Sequence, residues 1–530
     1  MIEILFFVLI IFSLVSIIKP SKTVQKVIQL SYAFLLFGLN LSIYLFDLKA
    51  SYLLQEYFFF DLINKILLFV MSIIFLGIII HQTQDSCDET IKPKTEYTAC
   101  LLAFVFSMTG ALLSRHLAML WVFIEATTLS STFLIWYDRS KRSLEAAWKY
   151  LFICSIGIAL AFVGIILLSM GTSSHHSLFF EDLWANAALY SPFWLKISFI
   201  FMLVGFGTKM GLAPMHTWKA DTYSQAPTHI SALLASVLFN VAMIPVFRIF
   251  KMMKLAGLET YASNILMITG FMSLIFSAYY MIKVKNYKRM LAYSSIENAG
   301  IIMIALSLGG FGTIAAVIHI ISHSFTKAFL FLVAGNIERL YKTPVISEVK
   351  GLISKSSFIG TMWIVGFLAI ACLPPFLSFI SEFNLMKAFV FKAYYLQLTA
   401  FLVLTTIIIF QMGKAIFMMS FASTEKGQLK IYTLKRLSVI VLIVFISIVL
   451  IGGLYIPDYI YEKIKQCSLE ISADLICSER SECESKMVLH CHCDELAKKQ
   501  SLCHLSYCPQ VPSHFVIRDS SPKTIYRLRG

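Results

Sequence analysis

FIFMLVGFGTKMGLAPMHTW, residues 199–218, is the stretch on which the reading of this chain turns. It is an apolar run of membrane-span composition that carries a lysine, Lys209, and five residues later a proline, Pro214. Ionisable side chains inside spans are costly and usually mark an ion pathway or a proton relay. Lys209 has company: Glu125 sits in Leu117–Ile135, His319, His323 and Lys327 lie along Ala315–Gly335, and Glu382 follows Leu373-Pro374-Pro375. Six such residues, two beside helix breakers, read as an ion-moving machine rather than an anchor.

The surrounding composition agrees. The 530 residues are 58% hydrophobic and 14% charged, with a mean hydropathy of +0.78. A soluble chain carries about a quarter charged residues, so the expectation is an all-α polytopic membrane protein in contact with a lipid bilayer. The net charge of +14 raises a nucleic-acid role, but the basic residues collect in alternate loops, as the positive-inside rule requires. No nucleic-acid partner is expected.

A span needs about 17–25 apolar residues, and that length predicts about fourteen helices. Lys19, Lys22 and Lys26 open a series of odd-numbered loops that hold roughly 21 basic residues, against about 6 in the even ones. Lys219 is counted among the odd loops. They are therefore predicted cytoplasmic, with both termini outside an inner (cytoplasmic) membrane. Met1-Ile2-Glu3 lacks a basic region, so the first apolar stretch reads as a span rather than a removed signal peptide. Pro214 ends the predicted seventh span and Pro374-Pro375 interrupts the twelfth. Paired broken spans point to inverted repeats with the transport site at the breaks, although two ordinary proline kinks give the same pattern. The predicted regions are an N-terminal three-helix part (1–96), repeats at 97–250 and 264–420, a last helix at 437–456 and a polar Cys-rich tail at 457–530.

A desolvated ammonium holds its proton less firmly and a nearby carboxylate restores the hold, so Lys209 with Glu125 makes a switch; a static ion pair is the alternative. His319, His323 and Lys327, spaced i, i+4, i+8, share one helical stripe suited to proton relay. A zinc site is the rival, but no local carboxylate or cysteine completes it. Glu382 lies about two turns past the Pro-Pro break, placed as a proton exit or a solvated residue near the membrane face. Glu297, near an expected helix start, has dipole capping as its simpler role.

No Gly-rich nucleotide loop, P-loop or nucleophile elbow occurs, and no cysteine pattern for an iron–sulfur cluster lies within the spans. Cys100, Cys154 and Cys372 read as small packing residues. The chain is expected to carry no cofactor and no redox centre. In the tail, His490, Cys491, His492 and Cys493 form a weak metal-ligand cluster; disulfides, or an extension of little structure, remain alternatives.

The residues around these sites resemble a known family. Trp121-Val-Phe-Ile-Glu125, Gly-Thr-Lys209-Met-Gly-Leu-Ala-Pro-Met-His216-Thr-Trp218, Lys288-Arg-Met-Leu-Ala-Tyr-Ser-Ser295 and His319-x-x-x-His323-Ser-Phe-x-Lys327 are similar to the antiporter-like, proton-conducting subunits. Those occur in complex I, Mrp antiporters and membrane-bound hydrogenases, and the similarity covers roughly residues 97–420. Leu144-Glu-Ala-Ala-Trp-Lys149-Tyr150, Ser295-Ile-Glu297-Asn298 and Ser-Glu382-Phe most resemble the hydrogenase-4 component F branch. The resemblance implies fourteen helices in two inverted five-helix repeats, broken at helices seven and twelve. It makes Glu125 and Lys209 the gating pair, His319, His323 and Lys327 the hydrophilic axis, and Glu382 the terminal carrier. Glu297, His216, Asn240 and Lys149 are secondary candidates. Asn240 stands where several relatives place a lysine, so water must bridge from Lys209 to His319.

The implied function is a proton-translocating membrane subunit of a redox-driven complex, hydrogenase-4-like or NADH:quinone oxidoreductase-like. Iron–sulfur, nickel–iron or flavin centres are then expected in partner subunits, membrane and peripheral. Alternatives are a subunit of a Mrp-type cation/proton antiporter or of a proton-coupled inorganic-carbon uptake complex.

Overall fold

The computed structural model describes residues 10–12, 14, 21–46, 56–85, 95–172, 177–423 and 434–472. Every regular element among them is helical, and twelve helices are long and apolar enough to cross a membrane. The chain is a multi-pass membrane protein. Two predicted spans are not among the twelve. The first falls mostly outside the described residues, and the twelfth is broken into two short pieces.

Three helices lead in: α1 (Lys22–Phe46), α2 (Leu62–Asp85) and α3 (Thr95–Leu113). Then follow α4 (Leu117–Ile135), α5 (Lys141–Ser169), short α6 (Phe180–Ala185) and α7 (Pro192–Met210). The chain breaks at residues 211–216 and resumes as α8 (Thr217–Gln225). Next come α9 (Thr228–Leu255), α10 (Glu259–Ile282), α11 (Tyr287–Leu308) and the long α12 (Phe311–Tyr341). After one-turn α13 (Leu352–Lys355), α14 (Ser357–Ile370) breaks at 371–376 and continues as α15 (Leu377–Phe391). The last three are α16 (Tyr395–Phe421), α17 (Arg436–Leu454) and α18 (Asp458–Ser472).

Outer and inner helices differ in where their apolar groups point. On α5, Trp148, Phe152 and Ile156 recur every fourth residue and all are exposed; such a stripe has lipid as its natural solvent. By contrast α9, α11 and α12 are enclosed by protein nearly all round, so their polar residues face other helices rather than lipid. The packing is close. A Cβ on Gly205 of α7 would stand 2.6 Å from the carbonyl oxygen of Gly157 on α5, which is the small-residue contact by which membrane helices approach.

Within α9, residues Leu234–Leu238 are π-helical, immediately before Phe239 and Asn240. A π-turn rotates the residues that follow it and is common at functional sites. Arg248, near the end of the same helix, donates to the carbonyl oxygens of Ser114 (2.6 Å) and Leu112 (3.3 Å) and lies 3.5 Å from Asp61. That tie fastens α9 to the end of α3 and the start of α2.

The predicted polar tail begins differently from expectation. Asp458–Ser472 forms a helix that packs on α9 and α12, with Cys467 a buried free thiol. Its apolar face (Ile464, Cys467, Ile471) is buried while Tyr459 and Ile460 stay exposed. Between this helix and α9 lies a cavity of about 390 Å³, lined in part by Asp61, Arg248, Lys251 and Glu470. Burial raises the Glu470 carboxyl above its ordinary value, and the Asp61 charge adds to the effect. His490, Cys491, His492 and Cys493 lie outside the described residues.

Candidate functional site

The ionisable residues picked out by sequence lie along the enclosed helices. Lys209 is the penultimate residue of α7, one before Met210, and is buried. Its Nζ donates to Thr128 Oγ1 (2.8 Å) and Tyr150 OH (2.6 Å), and sits 4.8 Å from the centre of the Tyr150 ring. The Tyr150 hydroxyl is shared with Ser131 Oγ at 2.7 Å. Glu125, one turn before Thr128 on α4, accepts from Ser155 Oγ at 2.7 Å and from Thr128 Oγ1 at 3.4 Å. Carboxylate and ammonium thus share the Thr128 hydroxyl rather than touching.

The second cluster spans α11, α12 and α15. Lys327 Nζ donates to the Leu291 carbonyl at 2.8 Å and to Ser294 Oγ. Asn298 Nδ2 donates to the Ser294 carbonyl at 2.5 Å, which turns Asn298 Oδ1 toward His319 Nε2, 2.8 Å away. His319 Nδ1 is 2.8 Å from Ser381 Oγ, whose hydroxyl also reaches the Ser378 carbonyl at 2.6 Å. Oδ1 only accepts, so His319 Nε2 carries a hydrogen. The Ser381 hydroxyl then chooses: turned to Ser378 it accepts from Nδ1–H, turned to Nδ1 it donates. One hydroxyl rotation therefore fits His319 with one proton or two. Glu382 is the next residue, partly buried, and Glu297 is within electrostatic range of both Glu382 and Lys327.

His323 faces the Phe239 ring at 4.4 Å, and neither ring nitrogen has a hydrogen-bond partner among the described residues. Both nitrogens are free to take one. Among the described residues no group of three or more His, Cys, Asp or Glu converges as a metal requires.

The secondary candidates scatter. His216 lies in the first break, packed near Phe276 (5.2 Å) and Tyr280 (5.6 Å). Asn240 donates to Ser324 Oγ at 2.7 Å. Lys149 is partly exposed and pairs with Glu145 (2.7 Å) and Asp221 (3.0 Å); Asp221 also holds Arg289. This ties α5, α8 and α11 at one end of the site. Glu297 is not near a helix start: α11 begins at Tyr287, and Asn286 caps it by accepting from the Lys288 and Arg289 amides at 2.8 and 3.1 Å. Glu297 is a buried mid-helix carboxyl.

Lys219 was placed in a cytoplasmic loop, and the structure contradicts that. It is wholly buried in the first turn of α8, its Nζ donating to Met210 O at 2.8 Å and Ser295 O at 3.4 Å. The broken span returns the chain into the protein interior, so a charge beyond Pro214 is still inside. Thr128, Tyr150, Ser294, Asn298 and Ser381 were missed as well. Their signal is faint: small polar residues one helical turn from an ionisable one, as Thr128 is from Glu125 and Ser294 from Glu297.

Several known proteins are similar to this chain. Hydrogenase-4 component F homolog of Methylacidiphilum infernorum (isolate V4) is 36% identical over 299 residues, 55% of this chain and 63% of that protein. Hydrogenase-4 component B of Escherichia coli (strain K12) is 28% identical over 292 residues, 53% of this chain and 43% of that protein. The chain thus matches less than two thirds of the length of either relative. A chain of the archaeal membrane-bound sulfane sulfur reductase, a respiratory membrane complex, shares the fold. Its TM-score is 0.80 over 89% of this chain and 97% of that one, at 19% identity. The family model described as "NADH:quinone oxidoreductase/Mrp antiporter, TM" matches residues 114–409, which take in both ionisable clusters and both helix breaks. Because that match covers more than half of its length, the chain belongs to the NADH:quinone oxidoreductase/Mrp antiporter membrane family.

Proposed function

We propose that this chain is the proton-translocating membrane subunit of a redox-driven complex of the hydrogenase-4 or NADH:quinone oxidoreductase kind. The observation that carries the reading is the series of titratable groups along the enclosed helices, buried at Lys209, Lys327, Glu297 and His319 and half-buried at its ends, Glu125 and Glu382. Within each cluster hydroxyls and amides hold Lys209, Lys327 and His319 at hydrogen-bond distance. Protein that has excluded lipid and bulk water around such groups must solvate them itself, and membrane proteins keep them chiefly for ion or proton pathways.

In this mechanism the Thr128 hydroxyl transmits between Glu125 and Lys209. A charge shift arriving from a neighbouring subunit that pulls Glu125 away leaves Lys209 held only by neutral hydroxyls, and its ammonium then releases the proton. On the far side Lys327 takes up a proton. Asn298 orients His319 by accepting from Nε2–H, and His319 exchanges a proton with the Glu382 side through Nδ1 as the Ser381 hydroxyl turns; water carries the proton between Lys327 and that face. Odd-numbered loops face the cytoplasm, and the two halves act as inverted repeats about the breaks. The electron-transfer centres sit in partner subunits.

The test is purification of the tagged chain in mild detergent with mass spectrometry of what accompanies it. Recovery of hydrogenase or quinone-reductase subunits with iron–sulfur proteins is the expected result. Recovery with only small antiporter subunits or an inorganic-carbon uptake partner would sink the redox reading and leave a gradient-driven proton device.

A further inference from the structure

We propose that Lys219 is the proton carrier that joins the two halves of the pathway, a role that rests on the transport reading above. The two clusters have a gap between them. Tyr150 and Thr128 hold Lys209 on one side, Ser294 holds Lys327 on the other, and Asn240, which donates to Ser324, has no titratable proton.

Lys219 lies in that gap. Its Nζ bonds the carbonyl of Met210, the residue after Lys209, and that of Ser295, the residue after Ser294. One ammonium thus touches both the helix that carries Lys209 and the helix that holds Lys327. No carboxylate pairs with it among the described residues; its other neighbours are the rings of Phe239 (4.8 Å) and Tyr223 (5.7 Å). Lys327 and His323 both feel its charge through space. The site is also shaped for it. A Cβ on Gly211 would stand 2.6 Å from Lys219 Cδ and 3.0 Å from Nζ, so the bare glycine makes the room.

A cation at a helix C-terminus can be simply a cap, and Lys219 does cap α7. The second break shows that a cap needs less: there Ser378 Oγ donates to the Ala369 carbonyl at 2.5 Å, with no charge. What an ammonium adds to a hydroxyl is a proton it can give up. Proton number is conserved at each step. The Lys209 ammonium becomes an amine as the Lys219 amine becomes an ammonium, and Lys219 then returns to the amine as Lys327 is protonated.

The experiment uses the intact complex, purified through a tag on this chain and reconstituted in liposomes. Inward proton flux is driven by a potassium diffusion potential and read with an entrapped pH dye. Lys219→Gln keeps a donor for the cap but has no transferable proton; Lys219→Arg keeps the charge but does not deprotonate. Both are expected to assemble and to lose about tenfold or more of the flux, and Lys219→His to recover part of it. Full flux in assembled Lys219→Gln overturns the proposal and leaves a structural cap. Failure of all three variants to assemble overturns it in the same way. Wild-type flux equal to that of protein-free liposomes sinks the transport reading itself. Flux lost in Lys209→Met but kept in Lys219→Gln sinks only the carrier.

Discussion

The two helix breaks face one problem and meet it with different chemistry. Each leaves carbonyls without helical partners at the end of its first segment, in a membrane, where bare polar backbone is costly. At the first break Gly211 takes the left-handed conformation (φ +79°) and Lys219 caps Met210 with an ammonium. At the second Cys372 takes that conformation (φ +52°) and Ser378 caps Ala369 with a hydroxyl. The titratable groups divide likewise. Lysines (Lys209, Lys219) cluster at the first break, whereas the second has the carboxyl of Glu382 beyond it, within range of Glu297 on α11. The sorting holds only at the breaks themselves: further along, Glu125 stands one hydroxyl from Lys209 and Lys327 lies within electrostatic range of Glu297.

The largest break in that comparison comes from Lys209→Met. It keeps the length of the side chain but leaves Thr128 and Tyr150 facing an apolar group, and removes the donor of the first cluster. Proton flux through the reconstituted complex is expected to fall about a hundredfold, the size of a lost proton-transfer group. Flux within twofold of wild type would show that the first cluster is a structural knot. Gly211→Ala comes next. The new methyl meets Lys219 at 2.6 Å and the residue sits at φ +79°, so the change costs about 1–3 kcal/mol in stability. Thermal unfolding in detergent should show an earlier transition, with flux reduced because Lys219 is displaced. An unchanged melting curve would mean that the break relaxes freely and that its geometry does not constrain Lys219.

Much of this was legible in the residues, and what was not has a physical reason. Apolar length and alternate-loop charge bring out the spans because a bilayer imposes its thickness on any helix that crosses it. Lys209, His319 and Lys327 announce themselves because a charge in an apolar run needs a cause. Lys219 does not, because Pro214 and the polar residues after it imitate the exit to a loop. Only the return of the chain as α8 shows that the segment stays inside. Glu297 was ranked low for a boundary reason: Asn286 starts the helix earlier than hydropathy does, so the carboxyl sits in mid-helix. Ser381 and Asn298 escape notice because each is ordinary in its own helix. Their meaning lies in facing His319 from two others, and one-dimensional spacing holds no such information.

Smaller effects sharpen the comparison at the second break. Ser378→Ala removes the hydroxyl cap and is expected to cost about 1 kcal/mol, the worth of a net hydrogen bond, with flux nearly unchanged. A large loss of flux would mean that Ser378 acts through Ser381, whose hydroxyl is shared between the Ser378 carbonyl and His319. The smallest effect is expected from Cys372→Gly. A non-glycine residue at φ +52° carries about 1–2 kcal/mol of steric cost that glycine relieves. Against that gain stand the extra chain entropy of glycine, about 0.5–1 kcal/mol, and the lost packing of a buried thiol. The terms oppose one another, so the transition temperature should move little in either direction. The contrast with Gly211→Ala is the point of the pair: the same region of backbone space, entered by a methyl in one break and vacated by a thiol in the other. If Cys372→Gly destabilises as much as Gly211→Ala, backbone conformation is not what separates the two breaks. The Cys372 thiol, beside Glu382, is then an active neighbour of the terminal carboxyl, and flux measured in that variant should fall along with its stability.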